Sequence, residues 1–140
     1  MKPLGVAVVG VGSWGVNLAR NFSGSSDYAL RWVCDLHGER ARAFAHSRGV
    51  RATTALDQVL EDSGVEAVAI ATPAASHAEV AMACLDTGRH VLVEKPMALS
   101  VAEAQKLSAA AAQRGLALMC DHTYIYAPAV RTIRAMIQGG

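Results

Sequence analysis

Short, almost wholly apolar runs alternate along the chain with longer stretches in which apolar residues recur every three or four positions. Leu4 to Val9 is nearly unbroken and ends in glycines, the signature of a central strand buried on both faces. The same reading predicts strands at Tyr28 to Cys34, Val50 to Ala52, Glu66 to Ala71, His90 to Val93 and Leu116 to Cys120. Between them the helical period predicts helices from about Trp14 to Phe22, Glu39 to Arg48, Leu56 to Glu61, Ser76 to Asp86 and Ser100 to Gly115. Gly49, Gly64, Gly88 and Gly115 supply stops, and Ser100 with Glu103 forms a capping box in which each side chain satisfies an amide at the helix start. A last helix from about Pro128 carries Val130, Ile133 and Ile137 on one side. Six strands separated by helices predict an α/β chain, a Rossmann-type, doubly wound parallel sheet in one domain.

Composition narrows the function without naming it. With 52% hydrophobic and 18% charged residues in 140, the chain is long enough and apolar enough to bury a core. A formal charge of +1, with scattered Arg and Lys, argues against nucleic acid or an acidic membrane as partner. Neither a spanning helix nor a signal-peptide core is visible, so the reading is a soluble, cytoplasmic protein. Cys34, Cys84 and Cys120 sit in apolar runs and form no C-x-x-C pair, which makes them small buried hydrophobes of a reducing compartment. His37, His46 and His90 share no ligand-like spacing, so no metal site is expected.

The chemistry concentrates at the predicted C-terminal ends of the strands. Gly10-Val11-Gly12-Ser13-Trp14-Gly15 is a G-x-G-x-x-G turn placed between a buried strand and a helix. Gly10 allows the tight turn, Gly12 lets the backbone approach a pyrophosphate, and Gly15 lets the helix lie close to the sheet. The phosphates then meet free amides and the positive end of the helix dipole. Asp35 closes the second strand 20 residues beyond Gly15, where a carboxylate accepts from both hydroxyls of an adenine ribose and repels a 2′-phosphate. That favours NAD over NADP. Arg40 and Arg42 lie near it and could hold a phosphate, but helix surface is the favoured reading.

Ala71-Thr72-Pro73 follows the fourth strand at the edge where ligands bind in this architecture. His77, one helical turn on, is open to two readings: a capping or packing histidine, or a cofactor contact. Glu94-Lys95-Pro96 ends the fifth strand, and Lys95 is suited to hydrogen-bond a substrate hydroxyl, although residue type alone favours an ordinary surface ion pair. Asp121-His122-Thr123-Tyr124 follows the last strand on the ligand side, either facing a substrate or satisfying its own backbone.

Taken together, these motifs resemble the glucose–fructose oxidoreductase, inositol dehydrogenase and rhizopine-catabolism (Gfo/Idh/MocA) oxidoreductases. The resemblance rests on Gly10 to Gly15, Asp35, Ala71-Thr72-Pro73 with His77, and above all His90-Val91-Leu92-Val93-Glu94-Lys95-Pro96. It implies a cofactor-binding domain over residues 1–122, with Val11, Ser13, Trp14 and Glu94 joining the cofactor set. It also implies a catalytic Lys95 near nicotinamide and substrate, and a cis bond before Pro96. His122 and Tyr124 become substrate candidates, because residues 121–130 are similar to the branch acting on nucleotide sugars. Family members continue into a second α+β domain that commonly carries a catalytic Asp and His. Residues 123–140 would be the segment leading to it, and without it the chain is expected to bind cofactor but not turn over. The implied partners are a dinucleotide, a sugar-like small molecule once that domain is supplied, and a second copy or other protein covering Tyr124, Tyr126 and the Val130, Ile133 and Ile137 stripe. The competing readings are a non-catalytic NAD-binding or redox-sensing module, and a structural relic.

Overall fold

A computed structural model describes residues 2–140. Its six strands are β1 (Leu4–Val9), β2 (Tyr28–Cys34), β3 (Arg51–Thr53), β4 (Ala67–Ile70), β5 (His90–Glu94) and β6 (Leu118–Asp121). Its helices are α1 (Gly15–Gly24), α2 (Gly38–His46), α3 (Leu56–Glu61), α4 (His77–Asp86), α5 (Val101–Arg114) and α6 (Pro128–Gly139). All strands run parallel in the order β3-β2-β1-β4-β5-β6. The reversal of direction between β1 and β4 opens a crevice at the strands' C-terminal ends, which is the binding position for this topology.

The period of two along each strand divides the core. Ala7, Val9, Val68, Ile70, Val91 and Val93 point to one face, where Leu60, Ala81, Cys84, Leu85, Leu107 and Ala111 of α3, α4 and α5 cover them. Val8, Val33 and Ala69 point to the other, under Ala19 of α1 and Ala41, Phe44 and Ala45 of α2. The small residues on these helices let helix and sheet approach closely. Cys34 and Cys84 are buried, and burial pushes their thiols up to about 11 and about 12.

The expected elements are all present with shifted ends. Glu94 lies inside β5 and Asp121 inside β6, one residue beyond where the hydrophobic pattern stops. β6 starts later than the apolar run because Leu116 donates its amide to Ala111 and closes α5. The capping box forms: Ser100 Oγ accepts from the Glu103 amide at 3.2 Å and Glu103 Oε2 from the Ser100 amide at 3.1 Å. Thr123–Tyr126, read from sequence as loop, is a 3-10 turn. α6 buries none of its residues and packs chiefly on that turn, leaving Ile133, Met136 and Ile137 exposed. Among the described residues no helix is long and apolar enough to cross a membrane.

Candidate functional site

The turn after β1 is held by its glycines in three different ways. Gly10 has φ +85°, and a Cβ there would lie 2.6 Å from the Ala71 carbonyl oxygen. A Cβ on Gly15 would lie 1.8 Å from the Gly10 carbonyl oxygen, so no side chain fits. Gly12 has no atom within 4 Å of such a Cβ. The fold therefore requires Gly10 and Gly15, whereas Gly12 keeps a space clear above the turn. The amides of residues 12–14, just before the start of α1, have no hydrogen-bond partner among the described residues. Unpaired amides at a helix N-terminus under a cleared space are what a pyrophosphate needs. The residues fit the group that the motif implies.

Two cavities flank this turn and share Ala71 and Thr72. One, of about 470 Å³, is lined by Gly10, Gly12, Asp35, Leu36, His37, Arg40 and Pro73, among others. The other, of about 680 Å³, is lined by Trp14, His77, Glu94, Lys95, Asp121, His122 and Tyr124 together with Thr123 and Ile125. The predicted site residues are thus brought together at one edge of the sheet. Val11 is buried beneath the turn and Ser13 lies along it, so these two contribute backbone rather than a lining side chain.

Asp35, 7% exposed, is held from three directions. Its Oδ2 accepts from the Val11 amide at 2.9 Å and its Oδ1 from the His37 amide at 2.8 Å, and Arg40 Nη1 lies 3.3 Å from Oδ2. Burial alone would raise its pKa, but the His37 and Val11 amides and the Arg40 guanidinium outweigh that and hold it below the usual carboxylate range. The carboxylate is charged, and it locks the glycine-rich turn onto β2. Arg40 is accordingly not plain helix surface, which corrects the sequence reading: its position in the first turn of α2 aims it at the strand's last carboxylate. Leu36, fully outside the core, offers this cavity an apolar surface that the sequence reading passed over.

His77 is 1% exposed and both ring nitrogens face carbonyls, Nδ1 at 2.7 Å from Pro96 O and Nε2 at 2.8 Å from Thr72 O. The ring ties the loop after β4 to the loop after β5, and it lines the larger cavity. It shapes the cavity with its nitrogens already occupied. The Lys95–Pro96 bond is cis, as the resemblance implied.

Glu94 and Lys95 do not form the surface ion pair that residue type alone favoured. Glu94 is buried with Oε1 unpartnered, while Lys95 is exposed at the cavity rim. Burial first, and the Asp121 carboxylate second, push the Glu94 pKa up, against smaller opposing contributions from the Lys95 amide and the Trp14 indole. His122 and Tyr124 line the same cavity from residues 122–126, and Tyr124 is largely exposed. Among the described residues no group of three or more His, Cys, Asp or Glu is placed to hold a metal ion.

Comparison with known proteins matches residues 4–122 to the model of the oxidoreductase family with an NAD-binding Rossmann fold, Gfo/Idh/MocA. The UDP-N-acetylglucosamine 3-dehydrogenase of Acidithiobacillus ferrooxidans is 35% identical over 127 residues, covering 91% of this chain and 39% of that protein. Among solved structures, GenD2 from gentamicin A biosynthesis in complex with NAD superposes with a TM-score of 0.89 at 42% identity, covering 91% of this chain and 37% of that one. KijD10, a 3-ketoreductase from Actinomadura kijaniata in complex with NADP and TDP-benzene, gives 0.91 at 28% identity, covering 99% of this chain and 43% of that one. The chain therefore spans well under half the length of these relatives.

Proposed function

This chain belongs to the Gfo/Idh/MocA oxidoreductase family, and from that premise we propose that it is the dinucleotide-binding part of a dehydrogenase or reductase acting on the CH–OH group of a sugar, nucleotide sugar or polyol. One observation carries the reading. A cleared turn with free amides separates a cavity holding a charged Asp35 from a cavity rimmed by Lys95. That is the arrangement for an adenosine at one end, a pyrophosphate on the turn and a nicotinamide at the other. When bound, the nicotinamide supplies a two-electron hydride acceptor or donor.

The chain's own residues then divide the work. The amides of residues 12–14 hold the pyrophosphate, and Asp35 accepts from the adenine ribose hydroxyls with the lone-pair capacity that its three donors leave. Its charge disfavours a 2′-phosphate, so NAD is preferred, and Arg40 beside it softens that preference. Lys95 donates to the substrate oxygen and stabilises negative charge developing there. Trp14 covers the nicotinamide end, and His122 and Tyr124 contact the substrate. The sugar class is supported by two of the relatives, a UDP-N-acetylglucosamine 3-dehydrogenase and a 3-ketoreductase.

Calorimetric titration of the chain with NAD and NADP, followed by a dehydrogenase assay of the full-length protein over a sugar and nucleotide-sugar panel, tests this. Saturable NAD binding stronger than NADP binding, with turnover on a member of that panel, is the expected result. No binding of either dinucleotide would sink it.

A further inference from the structure

Glu94 and Asp121 end neighbouring parallel strands at matched positions and line the same cavity. Glu94 is 8% exposed, and its Oε1 has no hydrogen-bond partner. Its Oε2 receives the Lys95 amide, at 3.3 Å, and Asp121 Oδ1 receives the Thr123 hydroxyl at 3.0 Å. Neither carboxylate belongs to an ion pair among the described residues. The other titratable groups around them are Cys120 on β6, His122 and Tyr124 beyond it, His77 at the head of α4 and Lys95 at the rim; Trp14 approaches from the glycine-rich turn. Two carboxylates so placed, one of them buried, resist carrying two negative charges at once.

We propose that Glu94 and Asp121 hold one proton between them at neutral pH and release it when a cationic ring enters the cavity, so that oxidised nicotinamide binds with loss of a proton and reduced nicotinamide binds without. The inference rests on the dinucleotide reading above. The oxidised ring carries a positive charge that the reduced ring lacks, and a cation close to the pair favours its doubly ionised form. The same pair then accounts for the proton of the reaction. Oxidising a secondary alcohol moves a hydride, one proton with two electrons, from carbon to the cofactor and turns the C–O bond into a carbonyl. The hydroxyl proton is left over, and it returns to the pair once the ring is neutral. Reduction of a ketone runs these transfers backwards.

Two measurements test it on the chain as it stands. The first is a carboxyl 13C NMR titration of the ligand-free protein. One carboxyl should titrate well above the ordinary range and fall back toward it in Asp121→Asn; two ordinary titrations, unmoved by the substitution, overturn the proposal whatever binds. The second is calorimetry of NAD and NADH across pH, in buffers of different ionisation enthalpy so that proton release is read directly. Affinity for NAD should gain on that for NADH by about tenfold for each unit by which the ring shifts the pair, with proton release confined to NAD. Glu94→Gln and Asp121→Asn should each abolish the difference, and melting curves confirm that at least one of them folds. Firm binding of both forms with parallel pH profiles overturns this proposal alone, whereas binding of neither form overturns the dinucleotide reading along with it.

Discussion

At one end of the groove a buried carboxylate, Asp35, is met by two backbone amides and a guanidinium; at the other a buried carboxylate, Glu94, keeps one oxygen with no donor and has another carboxylate beside it. Both residues close a strand of the same sheet and both are over nine-tenths buried. The surroundings push them in opposite directions, Asp35 toward permanent charge and Glu94 toward keeping a proton. The Asp35 end is thus set before any ligand arrives, with its charge also fastening the glycine-rich turn. The Glu94 end is left to respond to what enters it.

Substitutions in the turn between the two ends should have the largest effect. Gly12→Val fills the cleared space with a branched side chain, and dinucleotide affinity should fall at least 100-fold while the melting temperature holds. Gly15→Ala should do the reverse, lowering the melting temperature strongly because its Cβ meets a backbone oxygen at 1.8 Å. Titrations run beside thermal melts check both, and unchanged affinity in Gly12→Val would remove the turn from the site.

Next in size is Asp35→Ala, which takes the acceptor from the Val11 and His37 amides and from the ribose together. It should cost about 1–3 kcal/mol in NAD affinity, the range for losing a hydrogen-bonded charged partner. Arg40→Ala sharpens the same end: NADP affinity should drop several-fold with NAD within a factor of about two, consistent with an exposed guanidinium at the edge of the cavity. A wider fall for NAD than for NADP would show that Arg40 serves mainly to position Asp35.

The smallest effect is on stability, and its sign differs between the ends. The Asp35 pKa is lowered on folding, so its contribution is complete above the unfolded value of about 4 and is lost as pH falls through the lower folded value. The Glu94 pKa is raised on folding, so its contribution is complete below the unfolded value and is lost as pH rises through the folded one. Asp121→Asn should therefore raise the melting temperature near neutral pH by about 1–2 °C, the equivalent of a few tenths of a kcal/mol in a domain of this size, and leave acid unfolding unchanged. Asp35→Asn should flatten the acid limb instead. Chemical denaturation at a series of pH values separates the two.

Most of the scaffold of the Asp35 end was legible in the sequence, because glycine spacing and a carboxylate at a strand's end are local signals. Arg40 was not, since an arginine in the first turn of a helix reads as solvated until the strand before it is placed. At the other end Lys95 stood out, but its partnership was misread: sequence adjacency suggested an ion pair with Glu94, while alternation along β5 sends the two side chains to different surroundings. The neighbour that matters, Asp121, is set by the register of parallel strands, and no spacing along the chain encodes it. His77 was undecidable for a similar reason, as its partners, Thr72 and Pro96, lie on different loops. Gly5, whose Cβ would sit 1.7 Å from the Gly64 carbonyl oxygen, was invisible inside an apolar run.

A dinucleotide lying across the turn would rest its pyrophosphate on the amides of residues 12–14. Titrating isotopically labelled chain with NAD and following the backbone amides by NMR tests it directly. Saturable shifts should be largest at Gly12, Ser13 and Trp14, with smaller ones at Leu36 and Lys95 at the two ends. Absence of saturable shifts, or shifts that leave residues 12–14 untouched, would contradict it.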